Sequence, residues 1–156
     1  MSQPTAASVA RSIEISAPPE AVWALVSDLP RMGEYSPENA GGRWVDGDGP
    51  RVGATFKGAN RNGIRRWSTL AKVTRCEPGV AFAFLVSALG LTAADWSYQL
   101  EKRPGGCAVT ETWTDRRGRL LRAVAGLATG TSDRAAFTET SIEQTLAKLK
   151  ARAEKA

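Results

Sequence analysis

WSYQLEKRPGGCAVTETWTD, residues 96–115, reads as a β-hairpin with one apolar face. Every second residue gives Trp96, Tyr98 and Leu100 before the turn, then Val109, Glu111 and Trp113 after it, while Thr110, Thr112 and Thr114 fall on the other side. Side chains alternate across a strand, so this pattern belongs to an antiparallel sheet with one face packed and one facing water. Arg103-Pro104-Gly105-Gly106 closes the hairpin. Proline presets the first turn angle and glycine accepts positive φ.

The same logic extends upstream. Gly47-Asp48-Gly49-Pro50, Asn60-Arg61-Asn62-Gly63 and Glu77-Pro78-Gly79 are further turn signals. They separate strands expected over Arg43–Asp46, Val52–Ala59, Ile64–Cys76 and Val80–Ser87, which lead into Thr92–Lys102 and Cys107–Asp115 as a meander. The inner positions are Trp67, Thr69, Ala71, Val73, Phe82, Phe84 and Val86; Arg66, Ser68, Lys72 and Thr74 lie opposite. Earlier still, Val9–Ser16 alternates as a strand, with Val9, Arg11, Ile13 and Ile15 on one side, and Ala17-Pro18-Pro19-Glu20 stops it. Proline suits the first turn of a helix, and Val22, Leu25, Val26 and Leu29 follow at helical spacing, so a helix is expected over 19–28 and a short one over Arg31–Tyr35.

Beyond Asp115 the period changes to three and four. Leu120, Leu121, Val124, Leu127 and Ala128 mark one helix ending at Gly130. Ser132 or Thr131 is expected to cap a longer one running to about Ala153, with Thr138, Ile142, Leu146, Leu149 and Ala153 as its stripe. The expectation is one α+β domain over residues 9–153, about seven antiparallel strands curved around a long C-terminal helix, preceded by a disordered stretch, residues 1–8.

Composition bounds the function. The 156 residues carry a net charge of +5, but residues 1–115 balance 12 Lys and Arg against 12 Asp and Glu, so the excess lies in the last 41 residues, 9 against 4. No basic run interleaved with aromatic residues precedes Asp115, and nucleic acid is not expected as a partner. Arg116, Arg117, Arg119 and Arg122 flank the Leu120/Leu121/Val124/Leu127 stripe. That pattern fits either an anionic membrane surface or a core-facing helix with a solvated basic side, and the second is preferred. With no histidine and two cysteines separated by 30 residues, Cys76 and Cys107, no metal site or cofactor is called for. The opening residues lack an apolar leader, and a cytoplasmic protein is expected.

The inner list is rich in Trp and Tyr and contains polar atoms. A plain core favours aliphatic side chains, because each buried polar group needs a partner or costs about 1–3 kcal/mol. Aromatic walls with a few inward polar groups suit a ligand pocket; they also suit rings that merely fill the space under a helix. Glu111 between Val109 and Trp113 poses the sharper question. A carboxylate there is paired with a basic residue such as an arginine at the sheet edge, is neutral, or sits beside water in a cavity.

Taken in order, Ile15-Ser16-Ala17-Pro18-Pro19-Glu20-Ala21-Val22-Trp23, Trp44 with Val52-Gly53-Ala54-Thr55-Phe56, Arg65-Arg66-Trp67, Glu77-Pro78-Gly79 with Phe82-Ala83-Phe84, Trp96-Ser97-Tyr98 and Val109-Thr110-Glu111-Thr112-Trp113 resemble the polyketide cyclase/dehydrase branch of the START-like (Bet v 1-like, SRPBCC) superfamily, especially its actinobacterial members. The resemblance implies a helix-grip fold with a deep cavity between sheet and long helix. It implies a pocket lined by Tyr35, Trp44, Phe56, Asn60, Trp67, Thr69, Phe84, Trp96, Tyr98, Glu111, Trp113, Phe137, Ser141 and Ile142. The expected function is binding or carrying an apolar small molecule such as a lipid, polyketide or aromatic compound, as a monomer or homodimer. One alternative is a cyclase/dehydratase with Glu111 and Tyr98 as acid/base groups; another is an accessory protein such as a quinone chaperone. A histidine base, present in some enzymatic relatives, is absent here.

Overall fold

A computed structural model describes residues 7–129 and 133–155. Its elements are β1 (Ser8–Ile15), α1 (Pro19–Val26), a 3₁₀ helix (Leu29–Glu34), β2 (Asn39–Asp46), β3 (Thr55–Asn62), β4 (Arg65–Glu77), β5 (Ala81–Ala88), β6 (Leu91–Arg103), β7 (Gly106–Asp115), α2 (Arg119–Thr129) and α3 (Arg134–Glu154). The seven strands form one antiparallel sheet in the order β1-β7-β6-β5-β4-β3-β2. Chain neighbours are sheet neighbours throughout the meander; only β1 is carried across to pair with β7, placing Ser8 opposite Thr114 and Ile15 opposite Cys107.

Register irregularities at Val73/Arg75, Val86/Ser87, Asn39/Gly42 and Trp44/Asp46 interrupt the ladders. An extra residue on one strand bends it and increases its twist, which curls the sheet around α3. Gly42 sits at one such point, with φ +154°; a Cβ there would lie 2.1 Å from the Lys57 carbonyl oxygen and 2.7 Å from the Phe56 ring. Only glycine lets β2 come this close to β3.

Helix α3 runs along the concave face against β1 and α1. Its stripe of Thr138, Ile142, Leu146, Leu149 and Ala153 is buried, joined by Ser141 and Thr145. With Ile15, Val22, Val26, Val73, Phe82, Leu100 and Val109, its Ile142, Leu146, Leu149 and Ala153 form one continuous core. The indole N–H of Trp23 donates to the Ala81 carbonyl at 2.9 Å, tying α1 to β5.

Several sequence expectations are corrected. The strand reading stopped β3 at Ala59, yet Asn60, Arg61 and Asn62 continue it, and the turn is the two residues Gly63 and Ile64. Asparagine is tolerated there because Asn60 finds a side-chain partner on β4, donating to the Thr69 hydroxyl at 3.0 Å. Asp133, rather than Ser132 or Thr131, caps α3, its side chain accepting from the Ala136 N–H at 3.1 Å. Over the described part of its stripe, helix α2 turns only Leu121 inward; Leu120 and Val124 are 69% and 40% exposed. Residues 1–6, the Gly130 stop and the side chains of Leu127 and Ala128 lie outside the described residues.

Candidate functional site

The two halves of α3 differ in what they put under the sheet. The C-terminal half fills the space with Leu146, Leu149 and Ala153, whereas the N-terminal half presents Phe137, Thr138, Ser141 and Thr145. Short hydroxyl side chains do not reach the sheet, and a chamber of about 130 Å³ remains. Its walls are Phe56, Trp67, Phe84, Val86, Trp96 and Tyr98 from the strands, with Leu29 and Met32 from the 3₁₀ helix.

Glu111 belongs to this wall and is 2% exposed. Tyr98, directly opposite on β6, donates its hydroxyl to Oε1 at 2.8 Å. Oε2 is buried and has no hydrogen-bond partner among the described residues. The arginine directly across the ladder on β1, Arg11, turns away to Glu139 and Glu143 of α3. The sheet-edge ion pair allowed by the sequence is thus made with the helix instead. Burial pushes the Glu111 carboxyl up to about 8, against a smaller opposing pull from the Tyr98 hydrogen bond, so the group is protonated at neutral pH. The Tyr98 phenol is held well above its usual range by burial, and by the charge and hydrogen bond of Glu111; it stays a donor.

Outside the chamber lies a wider vestibule of about 590 Å³ between the β4–β6 surface and α2, lined by Leu70, Val86, Leu89, Ala93, Trp113, Leu121 and Val124 among others. Glu38, Trp67, Thr69, Val86, Trp96, Arg134 and Thr138 line both hollows, so the two adjoin along this shared wall, the neck. Arg134 Nη1 donates to both carboxylate oxygens of Glu38, at 2.9 and 3.1 Å, and the guanidinium lies 5.0 Å from the centre of the Phe137 ring. This pair joins the first turn of α3 to the chain entering β2.

Of the residues singled out in the sequence, Phe56, Asn60, Trp67, Thr69, Phe84, Trp96, Tyr98, Glu111, Phe137 and Ser141 converge on the chamber. Trp113 lines the vestibule instead. Tyr35 and Ile142 are fully packed in the core, and Trp44 stands behind Phe56, ring centres 5.4 Å apart and edge to face. Sequence reading missed Met32, Glu38, Arg134, Thr138, Thr145 and Leu121. Thr138 and Leu121 were visible as stripe positions, but nothing in the local sequence couples Glu38 to Arg134 across 96 residues.

Among the described residues no group of His, Cys, Asp and Glu is placed to hold a metal ion, and no helix is long and apolar enough to cross a membrane. Cys76 and Cys107 are free thiols.

A family model described as polyketide cyclase/dehydrase and lipid transport matches residues 6–154. Among solved structures, a polyketide-cyclase-like protein of Corynebacterium glutamicum, Cgl2372, is 30% identical; the match covers 95% of this chain and 91% of that one, with a TM-score of 0.65. The di-domain ARO/CYC StfQ of the steffimycin biosynthetic pathway superposes with a TM-score of 0.76 at 13% identity, over 97% of this chain and 51% of that one. The major latex-like protein 151 of Panax ginseng does so with a TM-score of 0.71 at 9% identity, over 96% and 99%. The last two likenesses concern the fold. No curated protein matches the sequence.

Proposed function

Because the chain belongs to the polyketide cyclase/dehydrase and lipid-transport family, within the Bet v 1-like superfamily, we propose that it binds a hydrophobic small molecule between its sheet and its long helix. The observation that carries this reading is Oε2 of Glu111, buried without a partner in the wall of an aromatic chamber. A buried polar atom left alone costs about 1–3 kcal/mol, and a sequence that served only stability would place an aliphatic residue there. A bound molecule that supplies the missing partner removes the penalty. The reading takes the protein as cytoplasmic, consistent with its two free thiols.

The test is native mass spectrometry of protein purified from its own host, with thermal shifts against lipids, aromatic compounds and polyketides. A co-purifying apolar compound, or a rise in Tm with one chemical class, is expected. An empty chamber together with no thermal response to any compound overturns the reading.

A second reading, catalysis, is favoured by the Tyr98–Glu111 hydrogen bond in the chamber wall: burial raises that carboxyl to about 8, which suits a group that both gives and takes a proton. As carboxylate it removes a proton from the carbon beside a carbonyl; as acid it returns that proton to a departing hydroxyl, which leaves as water. One carboxyl then closes the proton balance of a dehydration, with the Tyr98 phenol holding its other oxygen. Turnover of a β-hydroxy carbonyl compound by the wild type that Glu111→Gln abolishes without loss of binding supports the enzyme; binding with no turnover in either protein supports the carrier.

A further inference from the structure

The chamber and vestibule make different demands on a ligand, and they meet at a shared neck. The chamber, about 130 Å³, is close in size to an engineered cavity of roughly 150 Å³ that admits benzene. It has room for one ring. Flat aromatic walls, Phe56, Trp67, Phe84, Trp96 and Phe137, offer faces and edges that suit another ring. Its charged lining residues are Glu38, Arg134 and Glu111. The first two are already paired with each other, and the third is protonated at neutral pH, so an ionised head would enter without a counter-ion.

The vestibule is different. At about 590 Å³ it is several times larger, its walls include Leu70, Leu89, Trp113, Leu121 and Val124, and it opens towards solvent. Leu89 and Val124 remain 78% and 40% exposed there, apolar surface that would gain by being covered. Trp67, Trp96 and Thr138, shared by both hollows, put one molecule within reach of both.

We propose that the ligand is a ring-headed amphiphile: an uncharged single ring bearing a carbonyl or hydroxyl group in the chamber, hydrogen-bonded to Oε2 of Glu111, with an apolar tail that passes Trp67 and Trp96 into the vestibule. The proposal rests on the reading that this cavity binds a small molecule, and it names the class. A carbonyl head accepts from the protonated carboxyl. A hydroxyl head does the same through its oxygen.

The experiment uses three matched probe series on the full chain: 4-alkylacetophenones with tails from none to eight carbons, alkylbenzenes without the ketone, and 4-alkylbenzoates carrying a charge. Affinity is read by tryptophan fluorescence and position by NMR shifts. The ketones should bind about tenfold more tightly than the alkylbenzenes, as a hydrogen bond to an otherwise orphaned group implies. Each added methylene should tighten binding roughly two- to fourfold. Glu111→Leu should erase the ketone preference, and Val124→Asp, at a half-exposed site where folding is not at risk, should flatten the gain with tail length. Benzoates binding best, or ketones and alkylbenzenes binding alike, overturns the head assignment. Affinity independent of tail length overturns the tail assignment. Failure of all three series and of the matching 4-alkylphenols, while another apolar compound binds, overturns the proposal and spares the broader reading; no binding by any compound sinks both.

Discussion

Tyr98 and Glu111 stand directly opposite each other on β6 and β7, and the phenol holds one carboxyl oxygen at 2.8 Å while the other is left without a partner. The pair makes Glu111 a sensor of pH in the folded state. Its carboxyl is ordinary in the unfolded chain, at 4.5, and is raised to about 8 in the native protein. Between these values the unfolded chain releases a proton that the native state keeps, so the contribution to stability is complete below pH 4.5 and is lost as pH rises through 8. The slope is about 1.4 kcal/mol per pH unit. Glu111→Gln keeps the shape and removes the titration. Urea unfolding at pH 5 and pH 8 should show the wild type losing about 4 kcal/mol more than the variant; parallel losses in the two proteins would refute the assignment.

Asp115 reverses that sign. Burial pushes its carboxyl up, but the Arg117 side-chain and backbone hydrogen bonds, with the charges of Arg117 and Arg122, outweigh it and hold the group below the usual carboxylate range. Arg117 grips it twice, at 2.9 and 3.0 Å, where β7 hands over to α2. The contribution is therefore present at neutral pH and fades as pH falls through the lowered value. Asp115→Ala, which leaves Arg117 half-buried without its partner, should cost about 3 kcal/mol at pH 7 and less at pH 3. A loss below about 0.5 kcal/mol at pH 7 would place the pair among surface ion pairs of little weight.

The β5–β6 turn carries strain that a single change relieves. Leu89 has φ +55° and is followed by Gly90 at φ +74°, so both residues of a two-residue hairpin loop occupy the left-handed region. Asparagine is far better suited than leucine to the first position, and left-handed backbone costs an ordinary side chain about 1–2 kcal/mol. Leu89→Asn should raise Tm by about 2–4 °C. An unchanged or lower Tm would mean that the leucine is repaid by apolar contacts across the vestibule.

How much of this was legible follows from what each signal measures. Alternation over residues 96–115 and the Pro-Gly turns reports local chemistry, and it placed Trp96, Tyr98 and Glu111 on the inner face. Strand ends were less legible. Asn60-Arg61-Asn62-Gly63 has turn composition, but the ladder continues through Asn62 because Asn60 finds Thr69 across the strand pair. The Leu89-Gly90 turn lacks the usual first residue, and the sequence marked it only as a gap between the strands ending at Ser87 and starting at Thr92. The fate of Glu111 needed three dimensions, since whether Arg11 reaches it or turns to Glu139 depends on where α3 crosses the sheet. Residues that open a cavity are harder still to read, because Thr138, Ser141 and Thr145 look like weak stripe positions until the opposite wall is known.

The neck sets the last prediction. Glu38 and Arg134 are joined by two hydrogen bonds and line both chamber and vestibule, so a ring moving between the hollows along this wall runs beside them. Closing the neck holds a ligand in and also keeps one out, so loosening it should speed entry and exit together and change affinity less. Glu38→Gln removes one charge while Arg134 keeps its place over the Phe137 ring. Stopped-flow tryptophan fluorescence with 4-butylacetophenone should show both rate constants rising roughly tenfold, the effect of about 1.4 kcal/mol off the barrier. Arg134→Gln should do the same, and the double variant should add little, because either change alone already breaks the pair. The charge-reversed double variant, Glu38→Arg with Arg134→Glu, should restore slow exchange. Rates unchanged in Glu38→Gln, with a shift in Kd alone, would make the pair a fastening of α3 rather than a latch on the neck.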